Sequence, residues 1–322
     1  MLDKIGFYTL SEGRAKEASA TSPLMRCELI LTEKCNFHCV YCRGLSGEAN
    51  RTLSAKEIDK VLLLWIKEGL RNVRFSGGEP TLHPHLINAV KYCAGNSVKR
   101  IAISTNGFMP TRRYDDLLSA GVNDFSVSLD SCCSSTGDKM AGGIKGAWER
   151  VIENIRYVSA KCYTTVGIVL TEENINETID TILLAHNLGV SDIRVIPAAQ
   201  FTRQNTKKLE EIPDCVLNAH PILKYRVQRA VLGHSVRGIS KTDTPCCGLA
   251  LDDMVIAGEH HYPCVIYLRE GGKPIGKADW NMRLARENWF LTHTSHNDAI
   301  CRNNCLDVCV EYNNHYGEYH GI

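Results

Sequence analysis

The chain has 322 residues and a formal charge of +1, because 37 Lys and Arg stand against 36 Asp and Glu. This balance disfavours a dedicated nucleic-acid or acidic-membrane binder, and the 44% hydrophobic content excludes disordered and collagen-like chains. The longest apolar run, residues 61–66, is far shorter than the roughly 20 residues that cross a bilayer. Residues 1–23 also lack the apolar core of a secretory signal, so we expect a cytoplasmic protein with no membrane partner.

Residues 26–197 alternate short β-branched runs with amphipathic stretches, which predicts parallel βα units. The predicted strands are Cys27–Thr32, Asn72–Ser76, Arg100–Thr105, Asn123–Asp130, Thr164–Leu170 and Asp192–Pro197. The predicted helices between them are Ser54–Glu68, His85–Ala94, Arg112–Ala120, Gly146–Ser159 and Ile175–Leu188. Six units are too few for a closed eight-stranded barrel, so we predict an α/β fold with a partial (β/α)6 barrel.

After Pro197 the periodicity weakens, and His and Cys become more frequent. We therefore predict three regions: an N-terminal extension at 1–25, the partial barrel at 26–200 and a small cysteine-rich subdomain at 201–322. With 15 cysteines and no export signal, the chain is expected to use them as metal ligands or redox groups rather than as a disulfide framework.

Three cysteines, Cys35, Cys39 and Cys42, directly follow the first predicted strand, at the rim where barrel enzymes keep their chemistry. Three thiolates can hold three irons of a [4Fe–4S] cube and leave the fourth iron open for another ligand. A zinc site with His38 as its fourth ligand is the alternative, but His38 is adjacent to Cys39 and would be awkwardly placed for one tetrahedral ion.

With Tyr41 before its last cysteine, this triplet resembles the hallmark of the radical S-adenosylmethionine (radical SAM) superfamily. The resemblance implies a [4Fe–4S] cluster, SAM as cosubstrate, and an electron donor such as flavodoxin or ferredoxin. The reaction it implies is reductive cleavage of SAM to methionine and a 5′-deoxyadenosyl radical, which removes a hydrogen atom from a substrate.

Further segments at successive strand ends resemble the SAM-binding motifs of that superfamily. The turn Gly77-Gly78-Glu79-Pro80 resembles the motif that receives the SAM amino group, through backbone oxygens and the acidic side chain. Residues at the ends of the third and fourth strands are implied to meet the SAM ribose and carboxylate: Ser104, Asn106, Ser128 and Asp130. Without that context, Asn-Gly turns and strand-end Asp residues are common structural features.

A second group of cysteines lies near the C-terminus. Cys247 and Cys264 flank a predicted two-strand hairpin turning at Gly258, and Cys301, Cys305 and Cys309 follow at regular spacing. The pattern resembles the auxiliary-cluster extensions called twitch and SPASM, and it implies one auxiliary [4Fe–4S] cluster. Its implied ligands are Cys247, Cys264, Cys301 and Cys305, with Cys309 and Cys246 as substitutes. A zinc site is the alternative, given the nearby His260, His261, His293 and His296.

The resulting functional hypothesis is a radical SAM enzyme acting on a small molecule. A peptide or protein substrate is less favoured, because only some 25 residues precede the first strand where peptide-modifying relatives often carry a leader-binding domain. The cyclase of molybdenum-cofactor synthesis has a similar barrel but a different C-terminal cysteine spacing and a diglycine end, so that assignment is disfavoured. The alternative from another class is a metal-stabilised binding module without catalysis.

Two adjacent cysteines, Cys132 and Cys133, lie just past the fourth strand and are expected to face the SAM rim. A thiol there is a candidate donor of a hydrogen atom to a substrate radical. Simple packing or an adventitious disulfide are the alternatives.

Overall fold

The computed structural model describes residues 10–44, 50–199 and 206–322. Its strands are β1 (Arg26–Thr32), β2 (Asn72–Gly77), β3 (Arg100–Thr105), β4 (Asp124–Ser128), β5 (Tyr163–Leu170), β6 (Asp192–Pro197), β7 (Asp253–Ala257), β8 (His260–Tyr262) and β9 (Gly276–Lys277). They form one sheet in the order β6-β5-β4-β3-β2-β1-β7-β8-β9. Strands β1 to β6 pair in parallel with their chain neighbours, which confirms the predicted partial barrel.

Helices cover one side of this sheet and link its strands. Those of the described residues are α1 (Glu12–Glu17), α2 (Ala55–Lys67), α3 (Leu86–Gly95), α4 (Thr111–Ala120), α5 (Ser134–Met140), α6 (Ala147–Ser159), α7 (Thr178–Asn187), α8 (Asp214–Ala219), α9 (Pro221–Val231), α10 (Leu249–Asp252), α11 (Val265–Arg269), α12 (Met282–Thr292), α13 (Ala299–Asn304) and α14 (Asp307–His320). None of them is both long and apolar enough to cross a membrane.

The barrel elements follow the sequence pattern closely. Strands β3 and β6 have the predicted bounds, and α2 begins with the capping box expected from Ser54 and Glu57. The predicted helix 175–188 instead starts with a 3-10 turn, Ile175–Glu177, before α7. Helix α5 was not predicted, because its Ser, Thr and Gly residues have weak helix propensity.

The core lies between the parallel strands and the helices that cover them. Trp65 on α2, Phe75 on β2 and Phe125 on β4 are fully buried there. The Trp65 Nε1–H points at Met254 Sδ of β7, 3.1 Å away, and so links α2 to the far side of β1. This packing fixes the strands with their carboxyl ends at one rim, where the sequence motifs lie.

Strand β7 joins the barrel sheet instead of forming a separate hairpin layer. It pairs in parallel with β1, and the predicted hairpin is present because β8 returns antiparallel to β7 after Gly258, whose φ is +60°. The predicted division at residues 200 and 201 lies outside the described residues, as do the first nine residues of the predicted extension. The three-region division stays a prediction.

A buried ion-pair network ties the N-terminal helix to the C-terminal part of the chain. Arg14 of α1 pairs with Asp252 and Asp253, and Arg26 at the start of β1 also pairs with Asp253. All four side chains are largely shielded from solvent. Removing one partner of such a network typically costs about 3–5 kcal/mol, because a buried charge is left uncompensated.

Candidate active site

The cysteine triplet lies in the loop that leaves β1 at the carboxyl rim. Cys35 and Cys42 are exposed and Cys39 is half-buried, so the three thiols face an accessible space. Burial, reinforced by the nearby Asp130, Cys35 and Cys42, raises the pKa of Cys39 to about 12. A metal that binds these sulfurs supplies the positive charge that stabilises their thiolate forms. The donor set therefore fits an iron–sulfur cluster.

A cavity beside the triplet collects residues from three strand ends. Its walls include Cys39 and Tyr41 of the β1 loop, Asn106 after β3, and Ser128 and Asp130 at the end of β4. Trp148 of α6 closes one side. Five residues that the sequence assigned to one cluster and cofactor site are thus brought together by the fold.

Asp130 connects the cysteine loop to the neighbouring strand. Its Oδ2 accepts a hydrogen bond from the Tyr41 hydroxyl at 2.5 Å, and its Oδ1 accepts one from the Val169 N–H of β5 at 2.8 Å. Burial raises the pKa of Asp130 to about 6, while the Tyr41 and Val169 hydrogen bonds act in the opposite direction. The Asp130 carboxyl therefore holds the Tyr41 side chain, next to Cys42, against the end of β4.

The two glycines after β2 allow a close backbone crossing. A Cβ on Gly77 would lie 2.3 Å from the Thr32 carbonyl oxygen, and one on Gly78 would lie 2.3 Å from the Lys34 carbonyl oxygen. The Gly78 N–H donates to Thr32 O at 2.7 Å, and the Glu79 N–H donates to Lys34 O at 2.8 Å. The paired glycines therefore let this turn approach the segment leading into Cys35.

Glu79 is fully buried and its carboxylate is engaged by the protein. It accepts hydrogen bonds from the Thr81 N–H at 3.0 Å, the Thr105 hydroxyl at 2.8 Å and the Asn106 N–H at 2.7 Å. Burial raises the pKa of Glu79 and these hydrogen bonds lower it. In this arrangement Glu79 orients the β3 end, and its contact with SAM stays a prediction, as do those of Pro80 and Ser104.

Replacing Glu79 with glutamine is expected to lower the free energy of unfolding by about 1–3 kcal/mol. In the variant, an amide NH2 group replaces one carboxylate oxygen. Either the Thr105 hydroxyl or the Asn106 N–H then faces another donor, so at least one buried hydrogen bond is lost. Thermal unfolding of parent and variant at equal cofactor loading measures the change. Glu153→Gln, at an exposed site on α6, is the matched control, and equal unfolding of both variants would contradict the buried-acceptor role.

Asn106 links β3 directly to the cysteine loop. Its Nδ2 donates to Asn36 Oδ1 at 2.7 Å and lies 3.8 Å from Cys35 Sγ. Since Glu79 holds the Asn106 backbone from the other side, the β2 turn, the β3 end and Cys35 form one connected unit.

Arg269 is a residue of this site that the sequence analysis missed. Its Nη1 donates to Gly44 O at 2.8 Å and its Nη2 to Gly77 O at 2.7 Å, so it joins the cysteine loop to the glycine turn. Arg269 lies on α11, which begins directly after Cys264. Its partners are 225 and 192 positions away, and no local pattern could have revealed the contact.

The C-terminal cysteines form a second group of thiols. Five of them influence one another's ionisation and are close together in space: Cys247, Cys264, Cys301, Cys305 and Cys309. Burial raises the pKa of each, to about 12 for Cys247 and Cys309. The sixth candidate, Cys246, is buried in an apolar cluster with Leu249 and Tyr316. The donor chemistry again fits an iron–sulfur cluster.

One histidine reaches the second thiol group. His293 Nε2 lies 3.6 Å from Cys301 Sγ, and these two residues and Asp298 place three donor atoms within 4.8 Å of one another. Another, His261, is buried beside Arg286, with its Nδ1 3.4 Å from Arg286 Nη1. The zinc alternative at this end of the molecule therefore retains a possible nitrogen ligand in His293.

A cavity of about 240 Å³ separates the barrel strands from the C-terminal thiols. Cys264 and Cys309 lie in its wall, together with the carboxylates of Glu28 and Asp253. Its lining is unusually rich in guanidinium groups, which come from Arg26, Arg74, Arg194, Arg226 and Arg237. Burial, reinforced by Arg226, lowers the pKa of Arg194 to about 10. No local sequence pattern indicates this cavity, because its arginines come from distant elements.

Cys132 and Cys133 lie between β4 and α5, near Glu177. Their sulfurs are 3.6 and 3.7 Å from Glu177 Oε2. Neither cysteine is among the residues that line the cavity beside Cys39 or the arginine-lined cavity. Their role as hydrogen-atom donors stays a prediction.

The fold and the site define a class of protein: a partial parallel barrel that collects a thiol triplet and polar side chains at its carboxyl rim to hold a cofactor. Residues 29–185 match the family model of the Radical SAM superfamily, and this part of the chain belongs to that superfamily. Superfamily membership brings a [4Fe–4S] cluster and SAM as cofactors, and the triplet with its adjoining cavity fits both.

Curated relatives resemble the barrel region. A probable GTP 3′,8-cyclase of Saccharolobus solfataricus is 32% identical over 178 residues, which cover 54% of this chain and 57% of the relative. The molybdenum cofactor biosynthesis protein moc-5 of Caenorhabditis elegans is 32% identical over 176 residues, or 52% of this chain and 29% of the relative. The matched region is thus slightly more than half of this chain, and it spans less than two thirds of either relative.

Solved structures resemble more of the chain in fold. SuiB of Streptococcus suis bound to precursor peptide SuiA has a TM-score of 0.60 at 15% identity, covering 86% of this chain and 66% of SuiB. The protein anSMEcpe with bound AdoMet and Cp18Cys peptide has a TM-score of 0.58 at 14% identity, covering 92% of this chain and 97% of anSMEcpe. At these identities the likeness establishes the fold alone.

Replacing Tyr41 with phenylalanine is expected to shift the pH dependence of SAM binding upward by roughly one unit. SAM carries a sulfonium cation, so its affinity should fall as pH drops through about 6, where Asp130 takes up a proton. The Tyr41 hydrogen bond lowers the pKa of Asp130, and its loss should raise that pKa further. Equilibrium dialysis with SAM between pH 5.5 and 8.5 measures the midpoint. A midpoint that stays in place, as expected for the control Tyr92→Phe, would contradict this coupling.

Proposed function

We propose that the chain is a radical SAM enzyme. The observation that carries this proposal is the convergence of Cys39, Tyr41, Asn106 and Asp130 on one cavity within a region that matches the superfamily. When bound, the cluster and SAM supply a 5′-deoxyadenosyl radical that removes a hydrogen atom from the substrate. The residues of the chain bind and orient these groups and exclude water.

Cleavage of SAM tests the proposal directly. Protein reconstituted anaerobically and reduced with dithionite is expected to form 5′-deoxyadenosine from SAM, above the background of protein without cluster. Iron and sulfide are measured on the same sample. Full iron loading with no 5′-deoxyadenosine would overturn the enzyme assignment and favour a metal-stabilised binding module.

The second thiol group is proposed to hold one auxiliary [4Fe–4S] cluster. The five clustered cysteines can supply four thiolates, and the fold brings two of them, Cys264 and Cys309, to the wall of the arginine-lined cavity. Metal analysis decides between this cluster and zinc. About eight irons per chain would support the auxiliary cluster, whereas about four irons with one zinc would refute it.

The arginine-lined cavity is proposed as the substrate site, and its chemistry favours an anionic small molecule. Five guanidinium groups stand against two lining carboxylates, and Asp307 pairs with Arg226 behind the wall. Burial and the neighbouring Arg226 both lower the pKa of Arg194, so a bound anion would favour its charged form. Arginine forks suit carboxylate and phosphate groups. An extended peptide has no comparable need for this density of positive charge.

GTP is the first probe, because some of the curated relatives, that of Saccharolobus solfataricus among them, are named probable GTP 3′,8-cyclase. We expect a nucleoside triphosphate to increase 5′-deoxyadenosine formation, and Arg194→Gln to reduce that increase at least tenfold. The matched control is Arg156→Gln, which alters an exposed arginine on α6. If uncharged nucleosides or peptides stimulate SAM cleavage equally, with the same response in Arg194→Gln, the anionic substrate class is wrong. SAM cleavage itself would still stand.

A further inference from the structure

Two thiols and a carboxylate converge in the described residues at a place that neither cavity uses. Cys132 and Cys133 follow β4, and Glu177 ends the 3-10 turn that precedes α7. The two sulfurs lie 3.6 and 3.7 Å from the same oxygen, Glu177 Oε2. One donor atom from each residue lies within 4.8 Å of the others, a spacing that one metal ion can bridge.

The surroundings suit an ion that exchanges with solvent. All three side chains are half-buried, so they are accessible without being fully hydrated. The Thr136 hydroxyl donates to Glu177 Oε1, which fixes the carboxylate and leaves Oε2 directed at the sulfurs. Ser135 Oγ lies 3.2 Å from Cys133 Sγ, within hydrogen-bonding distance.

We propose that Cys132, Cys133 and Glu177 form a binding site for a thiophilic divalent cation, with Zn²⁺ as the best match. Two thiolates and one carboxylate, with solvent in a fourth position, suit the tetrahedral preference of zinc. The two cysteines are adjacent in sequence, as His38 and Cys39 are, but here both sulfurs and the Glu177 oxygen lie within 4.8 Å of one another. Binding releases the two thiol protons to solvent, and no electron is transferred.

The position of the site gives it a structural consequence. The loop from β4 to α5 also carries Ser131, and α5 carries Gly137; both residues line the cavity beside Cys39. Ser131 O accepts a hydrogen bond from Trp148 Nε1 at 3.0 Å, so the loop is held on that side. A cation on Cys132 and Cys133 would attach the other side to Glu177. The binding itself does not depend on the proposed enzymatic function.

Zinc titration of the iron-loaded protein under anaerobic conditions tests the site. The parent is expected to bind one more zinc per chain than the Cys132→Ser, Cys133→Ser double variant, with equal iron in both. Glu177→Gln should weaken this zinc roughly tenfold or more, in line with the loss of a metal-ligand contact. Cys215→Ser, which removes an exposed cysteine elsewhere, is the matched control and should titrate like the parent.

X-ray absorption at the zinc edge identifies the ligands. Two sulfur and two lighter neighbours, with Zn–S near about 2.3 Å, would support the site. Three or four sulfur neighbours would overturn it, because the zinc would then lie in the triplet or among the C-terminal cysteines. Equal zinc content in parent and double variant would overturn it as well. So would a Cys132–Cys133 disulfide that persists in the reduced, zinc-treated parent by mass spectrometry.

Discussion

Replacing Cys39 with alanine is expected to abolish formation of 5′-deoxyadenosine and to remove about four irons per chain. Cys39 is the half-buried member of the triplet and the one that lines the cavity with Tyr41 and Asp130. Two remaining thiolates hold a cube poorly, and the site for SAM loses its geometry with it. Anaerobic incubation with SAM and dithionite, followed by chromatography of the nucleoside products, measures the loss.

The same variant separates the two thiol groups. The five C-terminal cysteines share no ligand with the triplet, so the iron or zinc they hold should remain at the parent level. Cys35→Ala and Cys42→Ala should behave like Cys39→Ala. Cys215→Ala, at an exposed position on α8, should retain both metal content and SAM cleavage. SAM cleavage that survives in Cys39→Ala would remove the triplet from the reaction.

The barrel was accessible from the sequence because its information is local. Alternating β-branched and amphipathic segments define β1 to β6, and the strand ends place Cys39, Asn106 and Asp130 at one rim before any contact is known. Hydrophobic periodicity, turn residues and helix caps each depend on only a few neighbouring residues. That is why β3 and β6 could be predicted to their terminal residues.

Long-range placement was not accessible in the same way. Strand β7 reads as half of a hairpin, and only its packing against α2 through Met254 shows why it continues the sheet beside β1. The arginine-lined cavity likewise draws Arg74 from β2, Arg194 from β6 and Arg226 from α9. The sequence around each of these arginines does not indicate which residues the fold places opposite its side chain.

Glu79 illustrates the difference between a motif and its geometry. In the sequence, Glu79 follows the two glycines, and the resemblance of this turn to a SAM-binding motif implies a contact with SAM. The structure shows a fully buried carboxylate whose acceptors are already engaged by Thr105 and Asn106. A motif fixes which residues matter near a site, whereas the partners of a buried charge depend on elements that the motif does not contain.

Replacing Gly78 with alanine is expected to weaken SAM binding at least tenfold and to lower stability by about 1–3 kcal/mol. The added Cβ would lie 2.3 Å from Lys34 O and 2.5 Å from Glu33 O, and both atoms belong to backbone that cannot rotate away. The segment leading into Cys35 must therefore move, along with the Glu79 N–H that donates to Lys34 O. Equilibrium dialysis with SAM and thermal unfolding measure the two effects.

Gly95→Ala is the matched control, since a Cβ there meets no heavy atom within 4 Å and the residue lies at the end of α3. Equal SAM affinity in the two alanine variants would show that the close crossing of β1 and β2 does not shape the cofactor site.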